Sequence, residues 1–190
     1  MRKLIVTMWI TLDGFIADAD GELGWILGDE QLSNYEIGMV SNADTLLLGR
    51  KTYEDFVGYW PNVPTNPAAQ AWEKVYAGKI NALHKMVLSK TLETAAWSDS
   101  QIVKEIIPAE IEQLKQQPGK NILIYGSASV VQQLTNLGLI DEYHLLVHPV
   151  LLGSGQPLFA NIEQRVTMKL VKTEPFTSGV VLQVYQLAEG

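Results

Sequence analysis

The residues best placed to do chemistry sit at two points where a strand runs into a helix. In Leu46-Leu47-Leu48-Gly49-Arg50-Lys51-Thr52-Tyr53-Glu54 the leucines read as a buried strand, Gly49 permits a tight turn, and Arg50 to Tyr53 open a helix. Backbone N–H groups of a first helical turn lack intrahelical partners, and beside two cationic side chains they form a site for a phosphate. Ile122-Leu123-Ile124-Tyr125-Gly126-Ser127-Ala128-Ser129 repeats the arrangement farther along. One such junction is common for structural reasons alone. Two in a chain of 190 residues point to a dinucleotide carrying phosphates. Each residue keeps an ordinary reading as well. Arg50 suits a phosphate or an ion pair at a helix start, Thr52 can bond its own helix backbone, and a lysine after a strand, as Lys90 is, is common on any surface.

Asp29 and Glu30 open a second candidate site, at a helix start just after Trp25. Acids there complement the helix dipole or act on a substrate. Trp25, Tyr53, Phe56, Tyr59 and Trp60 could wall a pocket for a planar heterocycle, or simply be core. Asp13-Gly14 is a turn signal, and an aspartate in that place bonds local N–H groups. His84, His144 and His148 lack the spacing of a metal site, and the acids of Asp18-Ala19-Asp20-Gly21 lack the remaining ligands of a calcium loop. No metal is expected.

The composition narrows the classes. A 47% hydrophobic, 18% charged chain has the makings of a folded core, and a net charge of -7 argues against general nucleic-acid binding. There is no cysteine, which excludes disulfides and thiolate nucleophiles and suits a reducing, cytoplasmic setting. The basic-then-apolar start, Met1 to Ile10, lacks a small-residue cleavage site and reads as a first core strand. No apolar run reaches the roughly 20 residues of a membrane span.

Apolar periodicity supplies the elements that must carry these residues. Strands are expected over 3–10, 46–48, 85–89, 102–103 and 121–125; Asp13-Gly14 turns the chain after the first, and Phe15-Ile16-Ala17 continues it to the polar loop at Asp18 to Gly21. Helices are expected over 29–41, 50–56, 108–117 and 127–137, and Pro67 suits the first turn of another that carries Ala71, Trp72, Val75 and Tyr76. Strands over 142–150, 167–173 and 180–187 close the chain, with Ser178-Gly179 as a hairpin turn. This order implies an α/β fold over residues 1–190, a mostly parallel central sheet flanked by helices with an antiparallel C-terminal hairpin.

The arrangement resembles the dihydrofolate reductase-like fold. It is most similar to the reductase domain of the bifunctional riboflavin-biosynthesis deaminase-reductase and its stand-alone relatives. Thr11-Leu12-Asp13-Gly14-Phe15-Ile16-Ala17, Leu48 to Glu54, Ile124 to Ala128, and Ile140 to Leu145 running into His148 to Gly155 carry the likeness, in the family's order. The resemblance implies NADPH along the C-terminal ends of the strands. Gly49, Arg50, Lys51 and Thr52 would hold cofactor phosphate, and Ser89, Lys90 and Thr91 would recognise the adenosine 2′-phosphate. Gly126, Ser127, Ala128 and Ser129 would carry the pyrophosphate, with Ser127 departing from the second glycine usual there. Asp29 and Glu30 would supply the catalytic acid, and Trp25, Tyr53, Phe56 and Trp60 the substrate pocket. The activity implied is reduction of a small nitrogen heterocycle, a riboflavin-pathway pyrimidinone or a pterin. The rival is a nucleotide-binding protein of the same fold without turnover. The strands Glu142 to Val150 and Val180 to Leu187 carry more apolar residues than one sheet face needs, and with the pairing common in the family they imply a homodimer formed through this half.

Overall fold

A computed structural model describes residues 1–188, so the last two residues of the expected 1–190 domain lie outside it. The chain forms β1 (Leu4–Thr11), β2 (Phe15–Ala17), α1 (Glu30–Ser41), β3 (Ala43–Gly49), α2 (Arg50–Tyr59), a 3₁₀ turn (Trp60–Thr65) and α3 (Ala71–Ala82). Then follow β4 (His84–Leu88), β5 (Ser100–Val103), α4 (Pro108–Gln116), β6 (Asn121–Ile124), α5 (Ala128–Asn136), β7 (Glu142–His148), β8 (Gln156–Pro157), β9 (Met168–Pro175) and β10 (Val181–Leu187).

Eight strands make one sheet in the order β5-β4-β3-β6-β1-β7-β10-β9. Strands β5 to β7 across this order run parallel, and β10 and β9 complete it antiparallel, the mixed sheet implied by the element order. Both faces of the centre are covered. Leu4, Val6, Met8 and Ile10 of β1 pack with Ile122, Ile124 and the apolar side of α5, whereas Ile5, Leu46, Leu48 and Leu123 pack towards α1 and α3. This alternation follows from the two-residue period of a strand, and burial on both faces explains the nearly continuous apolar runs.

After the turn at Asp13-Gly14, residues 15–17 form β2, which pairs with β8 in a separate two-stranded ribbon. One expectation changes. Pro67 lies outside α3, which starts at Ala71 behind a capping box of Gln70 and Glu73. Reciprocal side-chain-to-backbone bonds satisfy two free donors, which a proline cannot do. Two buried cations are neutralised at the N-terminal ends of the parallel strands, opposite the ligand edge: Arg2 by Asp44, with Thr45 accepting a further bond, and Lys115 by Asp141 at 2.9 Å.

Candidate functional site

Parallel strands bring their C-terminal ends to one edge of a sheet, and an open α/β sheet binds ligands there. β3 and β6 are neighbours, so the two strand-to-helix turns meet. Gly49 N–H donates to Gly126 O at 2.9 Å. A Cβ on Gly49 would stand 2.4 Å from Ser127 Oγ and 2.9 Å from Ser127 N, so only glycine allows this approach. Gly126 has φ +107°, and a Cβ there would lie 3.1 Å from Thr52 Oγ1. Neither helix start receives a side-chain cap: Gly49 has none to offer, and Ser127 Oγ pairs with Ser129 Oγ at 2.9 Å instead. Two uncapped helix N-termini therefore converge, each the positive end of a dipole.

A groove of about 490 Å³ runs from this point. Gly49, Arg50 and Lys51 border it from α2, Ser127 and Ser129 from α5, and Ser89, Lys90 and Thr91 from beyond β4. Ser89 Oγ accepts from Leu92 N at 2.9 Å, which shapes the 89–92 turn. Arg50 borders the groove and also pairs with Glu54 at 2.9 Å, the ion pair expected of it at a helix start. Lys104, unremarked in the sequence, joins the groove, its Nζ donating to Leu92 O at 2.7 Å. Its signal was positional: it follows β5 as Lys90 follows β4. Among the expected cofactor residues, Thr52 and Gly126 face the adjoining cleft, and Ala128 is buried beneath it.

That cleft, about 320 Å³, meets the groove at Lys51 and Ser127, which border both. Thr7, Met8 and Trp9 of β1 form its floor with Tyr125 and Gly126. Phe56, Tyr59, Trp60, Trp72 and Tyr76 make an aromatic wall, with Trp60 against Tyr76 at 4.7 Å and against Tyr59 at 5.0 Å between ring centres. Ile16, Ala17 and Gln156 of the β2–β8 ribbon stand opposite.

The buried acid of the cleft is Glu36; Asp55 borders it as an exposed acid, and Asp29 and Glu30 lie outside it. Glu36 lies on α1 with Leu32 and Val40 on the helix's buried face, and only 7% of its surface is exposed. Trp9 Nε1 donates to Glu36 Oε1 at 2.8 Å, and burial pushes the carboxyl up to about 7. The hydroxyls of Tyr76 and Tyr125 are held protonated by burial, with the charge of Glu36 adding to the effect. The recoverable signal was an acid in the i, i+4, i+8 stripe of an otherwise apolar helix face.

Asp29 is the N-cap of α1: it accepts from Leu32 N at 2.7 Å, Ser178 N at 2.5 Å and Thr177 Oγ1 at 2.9 Å. These bonds outweigh desolvation and lower its carboxyl to about 2. Glu30 is exposed in the first turn of α1, outside the cleft. Trp25 packs edge-on to His148 at 5.1 Å, also outside the cleft. Tyr53 is core, its hydroxyl accepting from Trp97 N at 2.9 Å, whereas Phe56 and Trp60 do line the cleft. Asp13 ties the ends of two loops, accepting from Thr11 Oγ1 at 2.6 Å and Gly153 N at 2.8 Å.

The model of the family described as RibD C-terminal domain matches residues 2–182. The chain belongs to this family. This RibD C-terminal domain is 37% identical over 185 residues to YyaP, an uncharacterized protein of Bacillus subtilis strain 168, across 97% of its own length and 94% of the other. Among solved structures it is similar to a diaminohydroxyphosphoribosylaminopyrimidine deaminase/5-amino-6-(5-phosphoribosylamino)uracil reductase of Thermotoga maritima, with a TM-score of 0.67 and 15% identity over 98% of this chain and 57% of that one. It is also similar to dihydrofolate reductase of Enterococcus faecalis complexed with NADP(H), with a TM-score of 0.62 and 17% identity over 98% and 97% of the two chains. The RibD C-terminal domain described here thus has the dihydrofolate reductase-like fold. No helix among its described residues is long and apolar enough to cross a membrane.

Proposed function

We propose that the protein is an NADPH-dependent reductase of a small nitrogen heterocycle. One observation carries the reading: a groove with two uncapped helix N-termini and a cluster of cations opens, through Lys51 and Ser127, into an aromatic cleft with a buried acid on its floor. The groove fits the charged half of a dinucleotide, because glycine at 49 and 126 leaves space at the turns and free N–H groups surround it. Arg50, Lys51, Lys90 and Lys104 would hold its phosphates, with Ser127 and Ser129 offering hydroxyls beside the backbone. NADPH, when bound, supplies the hydride.

The chain's own residues do the rest. Phe56, Trp60 and Tyr76 provide flat apolar surface on which a planar ring stacks and from which water is excluded. Trp9 fixes Glu36 by one oxygen and leaves the second for the ligand. At about 7 the carboxyl is part protonated at neutral pH, and in that form it donates to a ring nitrogen as the adjacent carbon is reduced. Tyr76 and Tyr125 border the same end of the cleft with neutral hydroxyls.

The test has two readings on one sample. NADPH fluorescence reports binding, and absorbance at 340 nm reports consumption with dihydropterins and aminopyrimidinones as acceptors. Consumption with any acceptor supports a reductase. Cofactor binding with no consumption across the panel would favour a nucleotide-binding protein of the same fold.

A further inference from the structure

Three charged side chains border the cleft among the described residues: Glu36, Lys51 and Asp55. Lys51 lies at the junction with the phosphate groove, beneath the 18–22 turn, where a Cβ on Gly21 would stand 3.1 Å from its Nζ. The end away from the groove therefore holds carboxylates and aromatic rings. Asp55 lies beside Phe56 on the C-terminal half of α2, whose dipole presents its negative end there. Tyr59 of the aromatic wall is fixed by donating its hydroxyl to Glu73 Oε1 at 2.5 Å. Helix α2 is thus polarised along the ligand path, its N–H end on the groove and its acid-bearing end on the cleft.

A phosphate monoester brings nearly two negative charges and needs cations or free N–H groups to offset its lost hydration. The groove has both, whereas among the described residues Lys51, at the junction with the groove, is the one cation bordering the cleft. The cleft is also near the lower end of the roughly 300–1,000 Å³ of small-molecule sites. Aromatic faces beside carboxylates instead favour neutral or positively charged flat rings. We propose that the acceptor is a planar nitrogen heterocycle without a phosphate group, and that Asp55, with the Trp60–Trp72 wall, excludes phosphorylated analogues. The proposal rests on the reading of this cleft as the acceptor site of a reductase. It sets this chain apart from the phosphoribosyl acceptor in the name of the Thermotoga maritima protein.

The test uses matched pairs on the full chain with NADPH present: an aminopyrimidinone nucleoside against its 5′-phosphate, and a dihydropterin alcohol against its phosphate ester. Calorimetry reads affinity, and absorbance at 340 nm reads turnover separately. The unphosphorylated member of a pair binds at least tenfold more tightly, and Asp55→Lys narrows or reverses that preference. Asp55 is exposed, so this variant should fold, and a far-UV spectrum verifies it. Equal or tighter binding of the phosphate esters would overturn the proposal, as would failure of all four compounds to bind. Preference for the unphosphorylated member without NADPH consumption keeps it and removes the reductase reading; consumption with no such preference does the reverse.

Discussion

Trp9 Nε1 donates to Glu36 Oε1 at 2.8 Å, joining a central strand to the first helix at the floor of the cleft. The bond orients a carboxyl that burial holds at about 7 rather than 4.5. A folded state that retains a proton the unfolded chain has lost is destabilised as pH rises between those values. The shift corresponds to about 3 kcal/mol at pH 8, fading to nothing near pH 4. Glu36→Gln, which can still accept from Trp9, should therefore be more stable than wild type at pH 8 and no different at pH 4. Urea denaturation at the two pH values measures this, and an equal effect at both would contradict the burial argument.

The same titration should govern turnover. With protonated Glu36 as donor, kcat/KM is level below about pH 7 and falls tenfold per unit above it. Glu36→Gln should lower kcat by about a hundredfold or more and flatten the profile. A rate that rises through pH 7 would mean that the ionised carboxylate is the working form.

Asp29 should behave as a cap. Asp29→Ala removes the bonds to Leu32, Ser178 and Thr177 and should cost about 1–2 kcal/mol of stability while leaving kcat/KM within about twofold. The capping contribution is present in full above the ordinary aspartate range and is lost as pH falls through about 2. Chemical denaturation alongside the NADPH assay separates the two roles, and a tenfold loss of turnover in a folded variant would restore Asp29 to the site.

The cation groove should distinguish NADPH from NADH. Lys90→Ala and Lys104→Ala each remove one charged partner of the groove, and each should weaken NADPH about tenfold or more while leaving NADH nearly unchanged. Arg50→Ala should follow the same pattern with a smaller loss, because Glu54 already neutralises part of its charge. Calorimetry with both cofactors decides; equal losses for both would mean that these side chains do not meet the 2′-phosphate.

We expect a homodimer through the β9 edge. Leu170 and Val171 are 51% and 50% exposed on this outermost strand, whose far side pairs with no other strand among the described residues. A groove of about 560 Å³ bordered by Phe159, Ile162, Val166, Met168 and Tyr185 lies beside it. An uncovered apolar edge of this kind is an aggregation hazard, and a second copy would cover it. Light scattering at micromolar concentration should give twice the chain mass, and Val171→Lys should return the mass to one chain.

What could be read along the chain was what local interactions determine. The helix start at Arg50 and, to within one residue, those at Glu30 and Ala128, the strands with a two-residue alternation, and the need for glycine at 49 and 126 depend on neighbours within a few positions. The meeting of two Gly-led turns could be guessed because parallel β3 and β6 must deliver both to one edge.

The assignment of side chains to site or scaffold was settled only by tertiary packing. Asp29 and Glu36 lie on one helix, yet the hairpin turn at Thr177 and Ser178 comes from 148 residues away to occupy Asp29, and Trp9 comes from 27 residues away to hold Glu36. Tyr53 and Phe56, three positions apart, part in the same way, one onto Trp97 in the core and the other onto the cleft. Lys104 reaches the groove because β5 lies beside β4. Residue type and spacing determine which chemistry a chain can carry. Burial, charge neighbours and bonding partners determine which copy of a residue performs it, and those are set by strand order across the sheet.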